Sequence, residues 1–123
     1  MPSILIADDN GDLRKVLAWL LQPRGYDTLQ AGTGKETIET AIAAQPNLIL
    51  LDLRLPDMNG IDTARAIKKD RRTMHIPIVG WSAYFGSRWR EEALRAGMVA
   101  YMEKPLSAPV IEATIKRFIQ TGN

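Results

Sequence analysis

The sequence predicts a doubly wound α/β domain, a five-stranded parallel sheet with five helices shared between its two faces. Three observations predict it. Short, near-continuous apolar runs recur along the chain, as strands covered on both faces require. Between them lie segments whose apolar residues repeat at helical spacing. The two kinds of segment alternate strictly, so each connection between strands is a helical crossover and the strands run parallel.

Taken in order, the first strand is Ser3–Ala7, and Leu13, Val16, Leu17, Leu20 and Leu21 then form an unbroken helical stripe. Gly25 is the stop signal that follows. Tyr26–Ala31 mixes polar with apolar residues and reads as an edge strand. Ile38, Ala41 and Ile42 mark the second helix, Leu48–Leu51 the third strand, and Ile61, Ala64 and Ile67 the third helix. "LPDMNG" before that helix is a turn, with Pro56 and Gly60 meeting its backbone needs. Ile76–Trp81 is the fourth strand, and Trp89, Ala93 and Ala96 the fourth helix, ended by Gly97. Val99–Met102 is a short last strand, and Ile111, Ile115, Phe118 and Ile119 mark the last helix.

A chain of 123 residues suits one domain, and residues 1–123 are expected to form it with no effector domain attached. The absence of cysteine excludes a disulfide framework and a thiolate metal site. No apolar stretch approaches a membrane span and no leader pattern opens the chain, so a cytoplasmic location is expected. The formal charge of +2 is mild. Lys68, Lys69, Arg71 and Arg72 cluster without interleaved aromatics, which reads as a solvated helix end and not a nucleic-acid surface.

In open α/β sheets, ligands bind beyond the carboxyl ends of the strands. Asp8 and Asp9 stand at that end of the first strand, Asp52 at the third, Ser82 at the fourth and Lys104 at the fifth. Three crowded carboxylates repel one another, and a hard divalent cation removes the repulsion; magnesium suits few carboxylates and several retained waters. Asp8 and Asp9 read as ligands. Asp52 is open to two roles, third ligand or nucleophile, since carboxylates form acyl phosphates. Lys104 and Ser82 supply the positive and hydrogen-bonding partners that a phosphoryl group needs. Each residue alone has an ordinary explanation: Asp8 and Asp9 as turn residues or helix caps, Ser82 as a turn hydroxyl, Lys104 as a solvated lysine. Such explanations would have to hold at four separate strand ends in the right chemical order.

The stretches "ILIADDN", "LILLDLRLPDMNG", "VGWSA" and "AGMVAYMEKP" closely resemble the receiver domain of two-component response regulators, over essentially the whole chain. The resemblance implies the (βα)5 flavodoxin-like receiver fold. It implies that Asp52 is the phosphoacceptor, that Asp8 and Asp9 hold magnesium together with Asp52 and the Arg54 backbone carbonyl, and that Ser82 and Lys104 grip the phosphoryl group. Tyr101 is then the switch aromatic, and the bond before Pro105 is expected to be cis. The implied partners are a histidine kinase or histidine phosphotransfer protein upstream. Downstream stands a protein target, or a second copy, on the face of the fourth helix, fifth strand and fifth helix. Apart from the resemblance, Tyr84, Phe85 and Trp89 lie close together at the start of the fourth helix and read either as a partner or self-association surface or as an inward-packing Trp89 with Tyr84 and Phe85 in a loop. His75, the only histidine, precedes the fourth strand on the opposite rim and is not the donor. The domain is expected to catalyse only its own phosphorylation and dephosphorylation. Gly80 and Trp81 are less usual for the family at these positions.

Overall fold

A computed structural model describes residues 1–83, 86–104 and 107–119. Five strands alternate with five helices: β1 (Ser3–Ala7), α1 (Gly11–Leu21), β2 (Asp27–Ala31), α2 (Gly34–Ala44), β3 (Leu48–Asp52), α3 (Gly60–Lys69), β4 (Ile78–Ser82), α4 (Ser87–Arg95), β5 (Ala100–Glu103) and α5 (Ala108–Phe118). All strand pairs are parallel, in the order β2-β1-β3-β4-β5. β2 is an edge, as its mixed sequence predicts. Between β1 and β3 the strand order reverses direction, which opens a crevice at their carboxyl ends.

Alternation along the strands divides the core in two. Ile4 and Ile6, Leu48 and Leu50, Val79 and Trp81, and Met102 face α1 and α5. Leu5 and Ala7, Ile49 and Leu51, Ile78, and Tyr101 face α2, α3 and α4. Every residue of β3 and β4 is buried, so the central strands contribute most to the core. Each fully buried Leu or Ile there is worth about 1.5–3 kcal/mol.

The helices start on side-chain caps. Asn10 accepts from the N–H groups of Asp12 and Leu13 for α1, Thr33 from Glu36 for α2, Asn59 from Asp62 for α3 and Ser107 from Val110 for α5. Asn10, and neither aspartate before it, is the α1 cap.

Two details depart from the sequence reading. The α1 stripe is broader than the face α1 buries: Leu17, Ala18 and Leu21 are buried, while Val16 is 56% exposed. The reason is geometric, since five apolar positions span a wider arc than one sheet face covers. The fourth strand also begins later. Ile76 is buried, but its N–H bonds Thr73 in the preceding turn, and the ladder starts at Ile78.

Candidate functional site

The same alternation brings the polar residues together. Asp52 follows Leu50 by two residues, Asp8 follows Ile6 and Lys104 follows Met102, so all three continue the α1–α5 side of their strands. Asp8 and Asp52 are buried at 1% and 4% exposure, whereas Asp9 is exposed. Lys104 Nζ bridges the buried pair, 2.8 Å from Asp8 Oδ2 and 3.1 Å from Asp52 Oδ2. Carboxylate oxygens of Asp8, Asp9 and Asp52 all lie within 4.8 Å of one another.

Local hydrogen bonds fix these side chains. Asp8 Oδ1 accepts from the Asn10 N–H at 2.9 Å, and Asp52 Oδ1 accepts from the Arg54 N–H at 3.0 Å. The Arg14 guanidinium donates to the Asp8 carbonyl and pins the turn from below. Gly60 closes the other side. A Cβ there would stand 2.3 Å from the Asp52 carbonyl oxygen and 2.7 Å from Leu53 Cα, so only glycine permits the approach of α3 to the end of β3. Leu13, Ala83 and the exposed Arg54 complete the rim of this shallow pocket.

Burial pushes the Asp52 carboxyl up to about 6, and the Asp8 charge adds to it, against the Arg54 N–H and the Lys104 ammonium. Three carboxylates against one ammonium leave a formal charge of −2 when all are ionised. The donor set is hard oxygen throughout. Both features fit a hard divalent cation, which would offset the charge that burial disfavours.

Ser82 ends β4 with no exposed surface. Tyr101 is 3% exposed on the α4 side, where burial raises its phenol pKa and a hydrogen bond with Ser82 opposes that rise. Arg90 on α4 donates to the Tyr101 carbonyl at 3.2 Å, and Glu103 accepts from the Gly86 N–H at the same distance. β5 and the start of α4 are thereby joined. Trp89 is half-buried against the core, with the Arg88 guanidinium 5.3 Å from its ring. Tyr84, Phe85 and Pro105, with its expected cis bond, lie outside the described residues. His75 is exposed, ahead of β4 at the other end of the sheet.

Asn10 and Asp57 are among the contributors that escaped the sequence reading. Asn10 both caps α1 and bonds Asp8, and an Asn before a helical stripe is a recognisable cap signal. Asp57, in the turn after β3, accepts from the N–H groups of Gly34 and Lys35 at 2.7 and 2.9 Å. It ties that turn to the positive end of α2, a contact across 23 residues with no local signature.

The chain belongs to the response regulator receiver domain family, whose sequence pattern matches residues 4–116. It is a two-component signalling module, a phosphorylation switch, and its Asp8–Asp9–Asp52 pocket is consistent with the phosphoacceptor and metal site typical of such domains. Among its relatives, the polar-differentiation response regulator DivK of Brucella ovis is 34% identical over 118 residues, with 95% of each chain covered. DivK of Brucella anthropi matches equally. Among solved structures, a CheY-like receiver domain protein from Methanospirillum hungatei is 27% identical at a TM-score of 0.89, with 95% and 92% of the two chains covered. The chemotaxis protein CheY4 of Vibrio cholerae shares the fold, at a TM-score of 0.91 and 24% identity over 97% of this chain and 99% of that one. Membership in this family implies a histidine kinase partner. No helix among the described residues is long and apolar enough to cross a membrane.

Proposed function

We propose that Asp52 accepts a phosphoryl group from the phosphohistidine of a kinase or phosphotransfer protein. An Asp52 oxygen attacks phosphorus, the P–N bond breaks, and the imidazole leaves with the bonding pair and takes up a proton. Asp8, Asp9, Asp52 and the Arg54 carbonyl would hold magnesium, which when bound supplies positive charge against the phosphoryl oxygens. Lys104 then exchanges its contact with the Asp52 carboxylate for one with the phosphoryl group, and Ser82 donates a hydroxyl hydrogen bond to it. The observation that carries this reading is the Lys104 bridge between two buried carboxylates at the strand-order reversal.

Output follows from the link between Ser82 and Tyr101. A Ser82 drawn toward the phosphoryl group weakens its bond to the Tyr101 phenol. Arg90 and Glu103 carry the change into α4, so the α4–β5–α5 face presents two alternative surfaces to a target or second copy. Incubation with acetyl phosphate and magnesium should add one phosphoryl group by intact mass, labile to brief alkali, and Asp52→Asn should add none. Uptake by the Asn variant would move the acceptor elsewhere.

A further inference from the structure

Trp81 is the register neighbour of Asp52 on β3 and of Met102 on β5. It is 3% exposed, and among the described residues its indole N–H is the one buried side-chain polar atom without a hydrogen-bond partner. An unpaired buried donor is destabilising. A phenylalanine or leucine would avoid that cost, so the indole needs an offsetting role.

The ring lies against Lys104. Its centroid is 4.3 Å from Nζ, with the ammonium over the ring face. Indole has the strongest π-face for a cation among the aromatic side chains. Two carboxylates and this face account for the three donors of the ammonium. Beside the pair opens an apolar groove between α1 and α5, lined by Leu13, Leu17, Leu20, Ile111 and Trp81 itself, and Lys104 borders it too. A lysine stem loses rotamer freedom when its ammonium is held in one place, and a ring face already against Nζ favours the held position.

We propose that Trp81 is a positioning residue: its indole face holds the Lys104 ammonium over Asp8 and Asp52. This rests on the reading of Lys104 as the group that grips the phosphoryl group. Lys104 is thus already aimed when the phosphodonor arrives, and its reorganisation on phosphorylation is a short shift within one site. The device belongs to this chain's own β4 sequence, in which a large aromatic directly precedes the strand-end hydroxyl.

Fluorinated tryptophans inserted at position 81 keep the ring's shape while draining its π-face. With acetyl phosphate and magnesium, the logarithm of the uptake rate should fall steadily with fluorine number, by roughly three- to tenfold at the most fluorinated ring. Trp81→Phe should retain more of the rate than Trp81→Leu. A rate indifferent to fluorine, in variants that all take up phosphoryl, overturns the proposal and leaves Asp52 as acceptor. A second arm needs neither metal nor phosphoryl. In EDTA, the urea midpoint should fall with fluorine number, and that slope should flatten in a Lys104→Met background. Equal slopes in the two backgrounds show that the ring does not sense the ammonium and also overturn the proposal. This arm decides the matter even where the wild type takes up no phosphoryl group, a result that would instead refute the reading of the site.

Discussion

Consider Asp52→Asn in the metal-free protein. Burial first, and the Asp8 charge after it, hold the folded-state carboxyl at about 6 against an ordinary value of 3.8. A folded pKa above the unfolded one means that the folded state binds the proton more tightly. The carboxyl's contribution to stability is therefore fully present below pH 3.8 and lost as pH rises through about 6. Above that window the ionised group costs stability, and a gap of about two units corresponds to about 3 kcal/mol. Asparagine is nearly isosteric, keeps an oxygen for the Arg54 N–H and leaves Lys104 its contact with Asp8. The variant should therefore be more stable than wild type at pH 8 in EDTA, by up to about 3 kcal/mol, or about 10 °C in melting temperature for a domain of this size. At pH 5 about half of the advantage should remain. Urea unfolding followed by circular dichroism at the two pH values measures it. Magnesium should stabilise the wild type and narrow the gap. An Asn variant no more stable at pH 8, or one whose advantage grows toward acid, would refute the electrostatic account of the site.

Two further perturbations probe its surroundings. Asp57→Asn should shift stability the opposite way. The Lys35 and Gly34 N–H groups hold Asp57 below the ordinary carboxyl range, so its contribution is present at neutral pH and fades as pH falls through that lowered value. Melting curves should show the variant less stable at pH 7, the difference shrinking in acid, with phosphoryl uptake unchanged. Gly60→Ala should cost about 1–3 kcal/mol in urea unfolding, because the backbone of Asp52 and Leu53 cannot yield as a flexible side chain would. Its phosphoryl uptake should slow as Asp52 is displaced.

What was legible in the sequence had a period or a strand end to announce it. Apolar runs mark the strands, and the first polar residue beyond the first, third and fourth runs is Asp8, Asp52 and Ser82, while Lys104 stands one residue past Glu103 after the last. The unread features depend on approach in three dimensions. Nothing local says that Asp57 reaches the start of α2, or that Trp81 lies under the Lys104 ammonium. The α1 stripe erred for a related reason: spacing shows which residues could share a face, whereas the neighbours decide how wide a face is covered. Val16, at 56% exposure, is where those two answers part.

The alternation that builds the core also determines where a phosphorylation event can be felt. Asp8, Asp52, Trp81 and Lys104 share the parity of the α1–α5 side, and the Lys104 contacts join them there. Ser82, one residue beyond Trp81, takes the other parity, and its hydroxyl meets Tyr101 on the α4 side. A phosphoryl group on Asp52 would thus draw one partner from each face of the sheet, Lys104 from one and Ser82 from the other. Among the described residues the second connects onward, since Tyr101 accepts at its carbonyl from Arg90 on α4, whereas Lys104 is backed by the Trp81 indole. On the proposed reading, this asymmetry would give anchoring to the α1–α5 side and signalling to the α4–β5 side. Substitutions at Trp81 should then alter how fast the phosphoryl group arrives, and substitutions at Tyr101 should alter what its arrival does.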